Sequence, residues 1–160
     1  LILKKILGKM PEVNFYWAGG GEIEDEILSE LDGFKNFHWL GSLQYPDKVR
    51  EFLTEIDVYL LPTGMETTPL SLKEAQLMKK PVITTNVGGT SETMIDGVTG
   101  FLVEKGNHEQ LIEKLKLLLD DKKLSEQMGE VGRKFVQEKF SMEFSVKNCL
   151  NIIRQYHNQK

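Results

Sequence analysis

The sequence predicts an α/β fold, a Rossmann-like parallel sheet with helices on both faces and extra helices at its C-terminal end. Up to residue 103, short apolar runs alternate with amphipathic stretches, and alternating strands and helices imply a parallel sheet covered on both faces. After residue 103, three amphipathic stretches follow one another without a strand between them. Their helices are therefore expected to pack outside the sheet.

Each predicted element rests on its local pattern of apolar residues. Helical spacing predicts helices at residues 1–10, 22–31, 47–55, 71–78, 91–95, 108–119, 124–139 and 143–157. Short runs rich in β-branched and aromatic residues predict strands at residues 13–18, 36–40, 57–61, 81–85 and 101–103. The chain opens inside a helical pattern without the strand that should precede it, so we expect a piece of a longer protein.

Composition and charge exclude several classes of protein. The chain has 160 residues, of which 40% are hydrophobic and 28% charged, and this is typical of one globular domain. Its net charge of −4 argues against a nucleic-acid partner. No apolar run approaches the roughly 20 residues of a transmembrane segment.

Residues suited to metal binding or disulfide formation are few. The single cysteine, Cys149, excludes an internal disulfide, fits a reducing compartment such as the cytoplasm, and is expected to be a small buried side chain. Three scattered histidines and this cysteine do not have the spacing of zinc ligands. We therefore predict no metal site.

The strongest functional candidate is the segment from Glu66 to Glu74, which connects a predicted strand to the next helix. In open parallel sheets, ligands bind at the carboxyl ends of strands. The backbone N–H groups near Leu70, Ser71 and Leu72 would be the unpaired donors of the helix start, where a phosphate is favoured. The two carboxylates could then accept hydrogen bonds from hydroxyls at opposite ends of a phosphate-bridged ligand.

The same segment has a purely structural interpretation. Ser71 and Glu74 have the spacing of a capping box, in which both side chains satisfy the N-terminus of the helix. Thr68 followed by Pro69 is another common helix start. Local physics leaves capping and ligand binding both open, although capping gives no role to Glu66.

Two glycine-rich loops are further candidates. Residues 19–21 are glycines after a predicted strand, but Glu24 stands where a dinucleotide fingerprint needs its third glycine, so a flexible turn is the better interpretation. Residues 87–89, Val-Gly-Gly, allow a tight turn or a close approach to a ligand, with Thr90 or Ser91 capping the next short helix. For this second loop, a binding role and a structural role are equally compatible with the sequence.

In this order, these segments resemble the C-terminal domain of the family-four retaining glycosyltransferases, which have the two-domain glycosyltransferase-B fold. The resemblance extends from about residue 13 to the C-terminus. Glu66 and Glu74, with seven residues between them, match the family's Glu-x7-Glu motif. The other matching blocks are Asn36-Phe37-His38-Trp39-Leu40-Gly41, Lys80-Pro81-Val82-Ile83, Val87-Gly88-Gly89-Thr90-Ser91-Glu92 and Asp96-Gly97-Val98-Thr99-Gly100-Phe101-Leu102-Val103.

The resemblance implies a role for each matching residue. Glu66 would bind hydroxyls of the donor sugar, and Glu74 would bind the ribose. Members of the family transfer a sugar with retention from a nucleotide-diphosphate sugar, usually without a bound metal, so no cofactor is expected. The backbone that would hold the diphosphate and sugar is at Pro69, Leu70 and Ser71, and the residues that would border the base are Leu40, Gly41 and Leu43, with Lys48 nearby.

The resemblance also implies a domain arrangement. Residues 1–160 would be the nucleotide-sugar-binding domain of a two-domain enzyme of glycan biosynthesis, and the acceptor domain is absent from this fragment. The expected acceptor is a glycan, a lipid-linked sugar or a small molecule, and a lipid-linked acceptor would bring a cytoplasmic enzyme to the membrane surface. The isolated domain is expected to be inactive and to bind the donor weakly or not detectably, because the acceptor domain is missing and the family's basic pair for the diphosphate lies upstream. The chain departs from the family at Thr67-Thr68-Pro69, where Gly-Phe-Gly is common.

Two other functions remain open at this point. A sugar-nucleotide epimerase or a phosphorylase can be built on the same two-domain architecture. A non-catalytic binding or assembly module with well-capped loops would have no nucleotide contact at Glu66.

Overall fold

The computed structural model describes residues 2–157 as alternating strands and helices followed by three consecutive helices. Residue 1, within the predicted first helix, lies outside the described residues. The strands are β1 (Phe15–Ala18), β2 (Phe37–Gly41), β3 (Tyr59–Leu61), β4 (Val82–Thr85) and β5 (Gly100–Val103). The helices are α1 (Ile2–Lys9), α2 (Glu24–Leu31), α3 (Asp47–Glu55), α4 (Leu70–Leu77), α5 (His108–Asp120), α6 (Lys122–Lys139) and α7 (Met142–His157), with a 3-10 helix at Thr90–Glu92.

All strand pairs are parallel, as the alternation of elements predicts. β1 pairs with β2, and β4 lies between β3 and β5. Among residues 2–157, no ladder of hydrogen bonds joins β1 to β3, so the strands form two groups where the sequence predicts one sheet. The connection from β3 to β4 runs through α4, which packs against both strands.

Helices cover both faces of the strands, and two apolar clusters mark these faces. Ile83 of β4 packs in a cluster with α1, α2, α5 and Phe15 of β1. Its neighbour Val82 points the other way, into a cluster with Leu53 of α3 and Leu72 of α4. Because β1 and β4 share the first cluster, apolar packing joins the two groups of strands.

The last three helices pack outside the strands, as predicted. α5 contacts β4 and β5, and α6 crosses α4 and α5. α7 has no buried residue, and Cys149 on this helix is exposed, so the prediction of a buried cysteine is wrong. Among the described residues, no helix is both long enough and apolar enough to cross a bilayer.

One buried amide fixes the chain where α1 ends. Asn36 is 8% exposed, and its Nδ2 donates to the carbonyl oxygens of Met10 at 3.0 Å and Val13 at 3.1 Å. A weaker bond of 3.4 Å reaches Leu7. The amide thus satisfies carbonyls of the turn that connects α1 to β1.

We expect Asn36→Ala to lower the free energy of unfolding by about 1–3 kcal/mol, because buried carbonyl oxygens lose their donor. Urea denaturation measures this change. The same substitution at Asn148, which is exposed on α7, is the control and should stay within about 0.5 kcal/mol of the parent. Equal stabilities of the two variants would contradict a structural role for the Asn36 amide.

Candidate functional site

The start of α4 is a helix N-terminus without a side-chain cap. The N-cap residue is Pro69, in an extended conformation with φ −65° and ψ 115°, and no side chain accepts a hydrogen bond at this cap. Ser71 is therefore the second residue of the helix, two positions too late to cap it, and the capping-box interpretation is wrong. Leu70 is 61% exposed, whereas Pro69 before it and Leu72 in the same turn are buried.

Tyr59 of β3 lies within electrostatic reach of both predicted acids. Burial is the main cause that raises the pKa of its phenol above the ordinary value of 10.0. The negative charges of Glu74 and Glu66 raise it further, whereas a hydrogen bond with the Ser71 hydroxyl acts in the opposite direction. Glu66, Ser71 and Glu74 thus all affect the pKa of one phenol, that of Tyr59, which sequence analysis missed. A tyrosine in a strand is typical of a core position, and the neighbouring residues give no sequence signal of a functional role.

Glu66 is half-buried in the loop between β3 and α4. Its Oε1 accepts a hydrogen bond of 3.0 Å from the N–H of Thr67. The start of this loop is tied to the adjacent strand, because the Thr85 hydroxyl donates to the carbonyl of Thr63 at 2.5 Å. The loop after β4 packs on the other side, where Gly88 and Gly89 lie against the backbone of Glu66 and Thr67. The acid is therefore held between the ends of two neighbouring strands.

A cation that sequence analysis missed lies beside the same loop. Lys105, two residues after β5, donates from Nζ to the carbonyl oxygen of Gly64 at 2.8 Å. The sequence signal for a functional role of Lys105 was its position after the carboxyl end of a parallel strand. Lys73, which is inside the predicted segment, points elsewhere, with its ammonium 4.9 Å from the ring centre of Phe140.

The residues predicted to border a base lie at the end of β2, in the other group of strands. Leu40 is 42% exposed, Gly41 has a positive φ of 65°, and Leu43 is half-buried in the next loop. Lys48 at the start of α3 is exposed, and its Nζ is 2.6 Å from Glu51 Oε2. These residues therefore follow β2, whereas Glu66 and Glu74 follow β3 in the other group of strands.

The glycine loop at residues 19–21 is unsuited to an anion. The first turn of α2 carries Glu24, Asp25 and Glu26, whose charges oppose an anion at this helix start. The carboxylate of Glu24 also lies over Gly20 and would overlap any side chain there. The interpretation of this loop as a turn is consistent with both observations.

The 3-10 helix after β4 begins differently from the prediction. Its N-cap is Gly89, so neither Thr90 nor Ser91 caps it. Thr90 is fully buried, and its hydroxyl donates to the carbonyl of Thr85 at 2.8 Å. The same hydroxyl oxygen accepts the N–H of Val87 at 3.2 Å, so this threonine fixes the turn from inside.

A comparison with protein families gives a match over most of the chain. The model of the family described as glycosyl transferases group 1 matches residues 2–135. The chain belongs to this family. The group 1 match includes both strand groups, the α4 segment and most of α6.

Curated relatives of this group 1 domain are longer proteins. The capsular polysaccharide biosynthesis glycosyltransferase CapM of Staphylococcus aureus is 42% identical over 92 residues, which cover 58% of this chain and 24% of CapM. The N-acetyl-alpha-D-glucosaminyl L-malate synthase of Bacillus anthracis is 38% identical over 124 residues, which cover 74% of this chain and 32% of the synthase. The chain therefore spans less than half the length of these relatives.

Solved structures share the fold of the group 1 domain. The complex of Anabaena Alr3699/HepE with UDP-glucose has a TM-score of 0.82 at 20% identity, and the match covers 96% of this chain and 44% of that one. The C-terminal domain of the group 1 protein LpcC from Francisella tularensis has a TM-score of 0.75 at 22% identity, over 88% of this chain and 76% of that one. These likenesses confirm the Rossmann-like fold of the glycosyltransferase-B type.

The raised pKa of Tyr59 predicts how stability changes in alkali. The folded protein holds the phenolic proton more tightly than the unfolded chain, so this contribution to stability is present below about pH 10 and is lost as the pH rises through the raised pKa. Tyr59→Phe should remove this loss. Urea denaturation across alkaline pH tests it, with Tyr45→Phe at an exposed phenol as the control. If the free energy of unfolding of Tyr59→Phe falls with rising pH as steeply as that of the parent protein, the prediction is wrong.

Proposed function

We propose that this domain binds the nucleotide-diphosphate sugar donor of a retaining glycosyltransferase, and that the full-length enzyme transfers a hexosyl group to an acceptor. One observation carries the proposal. An uncapped helix N-terminus follows β3, with Glu66 before it and Glu74 one turn inside it. The Alr3699/HepE complex with UDP-glucose, which shares this fold, supports the choice of ligand class.

The diphosphate would bind at the start of α4. The N–H groups of Leu70 and Ser71 and the positive end of the helix dipole favour an anion at this position. Pro69 has no N–H group, so the backbone donors begin one residue later. The Lys105 ammonium, at the edge of the same loop, contributes a positive charge to the surface that faces the phosphates. This arrangement needs no resident metal or other cofactor.

Glu66 and Glu74 would accept hydrogen bonds from donor hydroxyls. We assign Glu66 to the sugar and Glu74 to the ribose, on opposite sides of the diphosphate. Hydrogen bonds from a neutral hydroxyl to a carboxylate are charge-assisted and short, so they fix the orientation of the sugar as well as adding affinity. A carboxylate beside the anomeric carbon also favours positive charge that develops there during transfer.

The base would lie against Leu40, Gly41 and Leu43 at the end of β2. The positive φ of Gly41 turns the chain, and the exposed face of Leu40 offers an apolar surface to a flat ring. Lys48 can serve the nucleotide only if it leaves Glu51. An exposed ion pair contributes about 0–1 kcal/mol, so this exchange costs little.

Transfer would break the bond between the anomeric carbon and the phosphate oxygen and form a bond from that carbon to an acceptor hydroxyl oxygen. The nucleoside diphosphate would leave with the electron pair of the broken bond and take up the hydroxyl proton. The acceptor, a glycan, a lipid-linked sugar or a small molecule, would bind to a second domain of the full-length protein. Two relatives that are much longer than this chain have names that describe reactions of this kind. They are CapM and N-acetyl-alpha-D-glucosaminyl L-malate synthase. We place the reaction in the cytoplasm, at the membrane surface when the acceptor is lipid-linked.

Titration with nucleotide diphosphates and their sugars should locate the site. We expect amide chemical shifts of residues 40–48 and 64–75 to move most, because these segments carry the proposed contacts. The panel is UDP, GDP, UDP-glucose and GDP-mannose, and adenosine is the control without phosphate. Changes scattered away from both segments would contradict the proposed site.

Substitution of each acid should separate their roles. Glu66→Gln should weaken binding of the sugar nucleotide about tenfold and leave the matching nucleoside diphosphate unaffected, because the diphosphate lacks the sugar. Glu74→Gln should weaken both ligands, because both contain ribose. Isothermal titration calorimetry measures the four affinities.

The control for these variants is Glu113→Gln, at an exposed carboxylate on α5. It should leave all affinities unchanged. In the full-length protein, both active-site variants should lower transfer to an acceptor while the protein stays folded. Parent-like affinities and transfer rates in both variants would refute the assigned roles, and epimerised donor formed without an acceptor would refute transfer.

A further inference from the structure

The backbone of the loop that carries Glu66 packs closely against the glycines of the loop after β4. A side chain on Gly88 would overlap the carbonyl group of Glu66, and one on Gly89 would overlap the carbonyl group of Thr67. Cβ atoms do not occur at such separations in folded proteins. The two loops can therefore be this close only because both positions are glycine.

The loop after β4 is a rigid partner in this contact. Thr90 is fully buried and bonds through its hydroxyl to the carbonyls of Thr85 at 2.8 Å and Val87 at 2.9 Å. Its own carbonyl accepts the hydroxyl of Thr93, also fully buried, at 2.7 Å. These bonds fix the turn to the end of β4, so the glycines present a surface of defined position.

The position of the Glu66 carboxylate depends on the position of the backbone of its loop. The carboxylate accepts a hydrogen bond from the N–H of the next residue, Thr67, and this bond orients the side chain relative to the loop. Any movement of the loop backbone at these two residues therefore moves the carboxylate relative to the start of α4. The contact with the glycines limits that movement.

We propose that Gly88 and Gly89 are positioning residues for Glu66. By lacking side chains, they let the loop after β4 seat directly on the carbonyls of Glu66 and Thr67, and this contact sets the distance of the carboxylate from the diphosphate site. The effect on donor binding rests on the function proposed above. The position of the acid itself does not depend on that function.

Gly89 is the better position for a test. Its φ is −88°, a value that alanine adopts without strain, so Gly89→Ala changes only the contact with Thr67. Gly88 has a φ of 54°, and a substitution there would add backbone strain to the overlap. The effect at Gly88 would therefore mix two causes.

The chain offers a matched control for the overlap. A side chain on Gly129 of α6 would overlap the carbonyl group of Lys79 to the same degree, at the far end of α4 from Glu66. Gly21 is a second control, because a side chain there meets no atom. Gly129→Ala thus disturbs helix packing without touching the loop that carries Glu66. Gly21→Ala disturbs neither the helix packing nor this loop.

The first measurement needs no ligand. In Gly89→Ala, the amide signals of Glu66 and Thr67 and the side-chain carboxyl carbon signal of Glu66 should shift, whereas in Gly129→Ala and Gly21→Ala they should keep their parent values. If Gly89→Ala does not fold, Thr90→Val replaces it, since it loosens the same turn without adding an atom near the acid. Unshifted Glu66 signals in a folded Gly89→Ala, or failing that in Thr90→Val, overturn the proposal.

The second measurement uses UDP and UDP-glucose, with GDP and GDP-mannose as a second pair. Gly89→Ala should lose about tenfold in affinity for the sugar nucleotide that the parent binds and keep its affinity for the diphosphate, whereas Gly129→Ala should keep both. An unchanged ratio of the two affinities in Gly89→Ala overturns the positioning role in donor binding. If the domain binds no member of the panel, the affinities are measured on the full-length protein, and a failure to bind any member there refutes the proposed function. The ligand-free signals decide the position of Glu66 in either case.

Discussion

The free N–H groups at the start of α4 are the constraint around which the candidate site is built. Backbone donors that no side chain satisfies must pair with water or with a ligand, and a helix dipole makes an anion the preferred partner. Pro69 places these donors by ending the loop in an extended conformation, which positions the first turn after the carboxyl end of β3. Ser71, the one hydroxyl in that turn, is already engaged with Tyr59. The backbone is therefore the principal donor at this tip.

Local and global charge act in opposite senses in this protein. The net charge of −4 repels an anion at long range, and the two acids beside the helix add to that repulsion nearby. The helix dipole opposes this repulsion within the first turn of α4, where its effect is strongest, and the Lys105 ammonium adds a positive charge at the start of the loop, beside Gly64. A ligand with a central anion and neutral, hydroxyl-rich ends satisfies this pattern, because each end meets a carboxylate and the centre meets donors. A simple anion of the same charge would pair only with the central donors and would leave both carboxylates without a partner.

The sequence predicts most of the fold and the positions of Glu66 and Glu74 on either side of the start of α4, because both depend on regular spacing. Helical and strand periods recur along the chain, and Glu66 and Glu74 are placed by the strand-to-helix connection that they flank. The capping box was wrong because a local pattern does not say which residue is the N-cap, and the conformation of Pro69 decided it. The contacts of Tyr59 and of the glycines after β4 are long-range in sequence, so no spacing rule reveals them. The division of the strands into two groups has the same origin, since pairing partners are not encoded locally.

The division of the strands into two groups determines what sets the distance between them. Within residues 2–157, the β1–β2 pair and the β3–β4–β5 group are connected by hydrocarbon contacts among residues such as Leu7 of α1 and Leu111 of α5, on the face opposite α4. Hydrogen-bonded ladders impose a fixed register, whereas apolar packing is non-directional and responds to side-chain volume. The distance between the end of β2 and the end of β3 is therefore set by the volume of interior side chains. A substitution deep in the core should change this distance without touching the surface at either strand end.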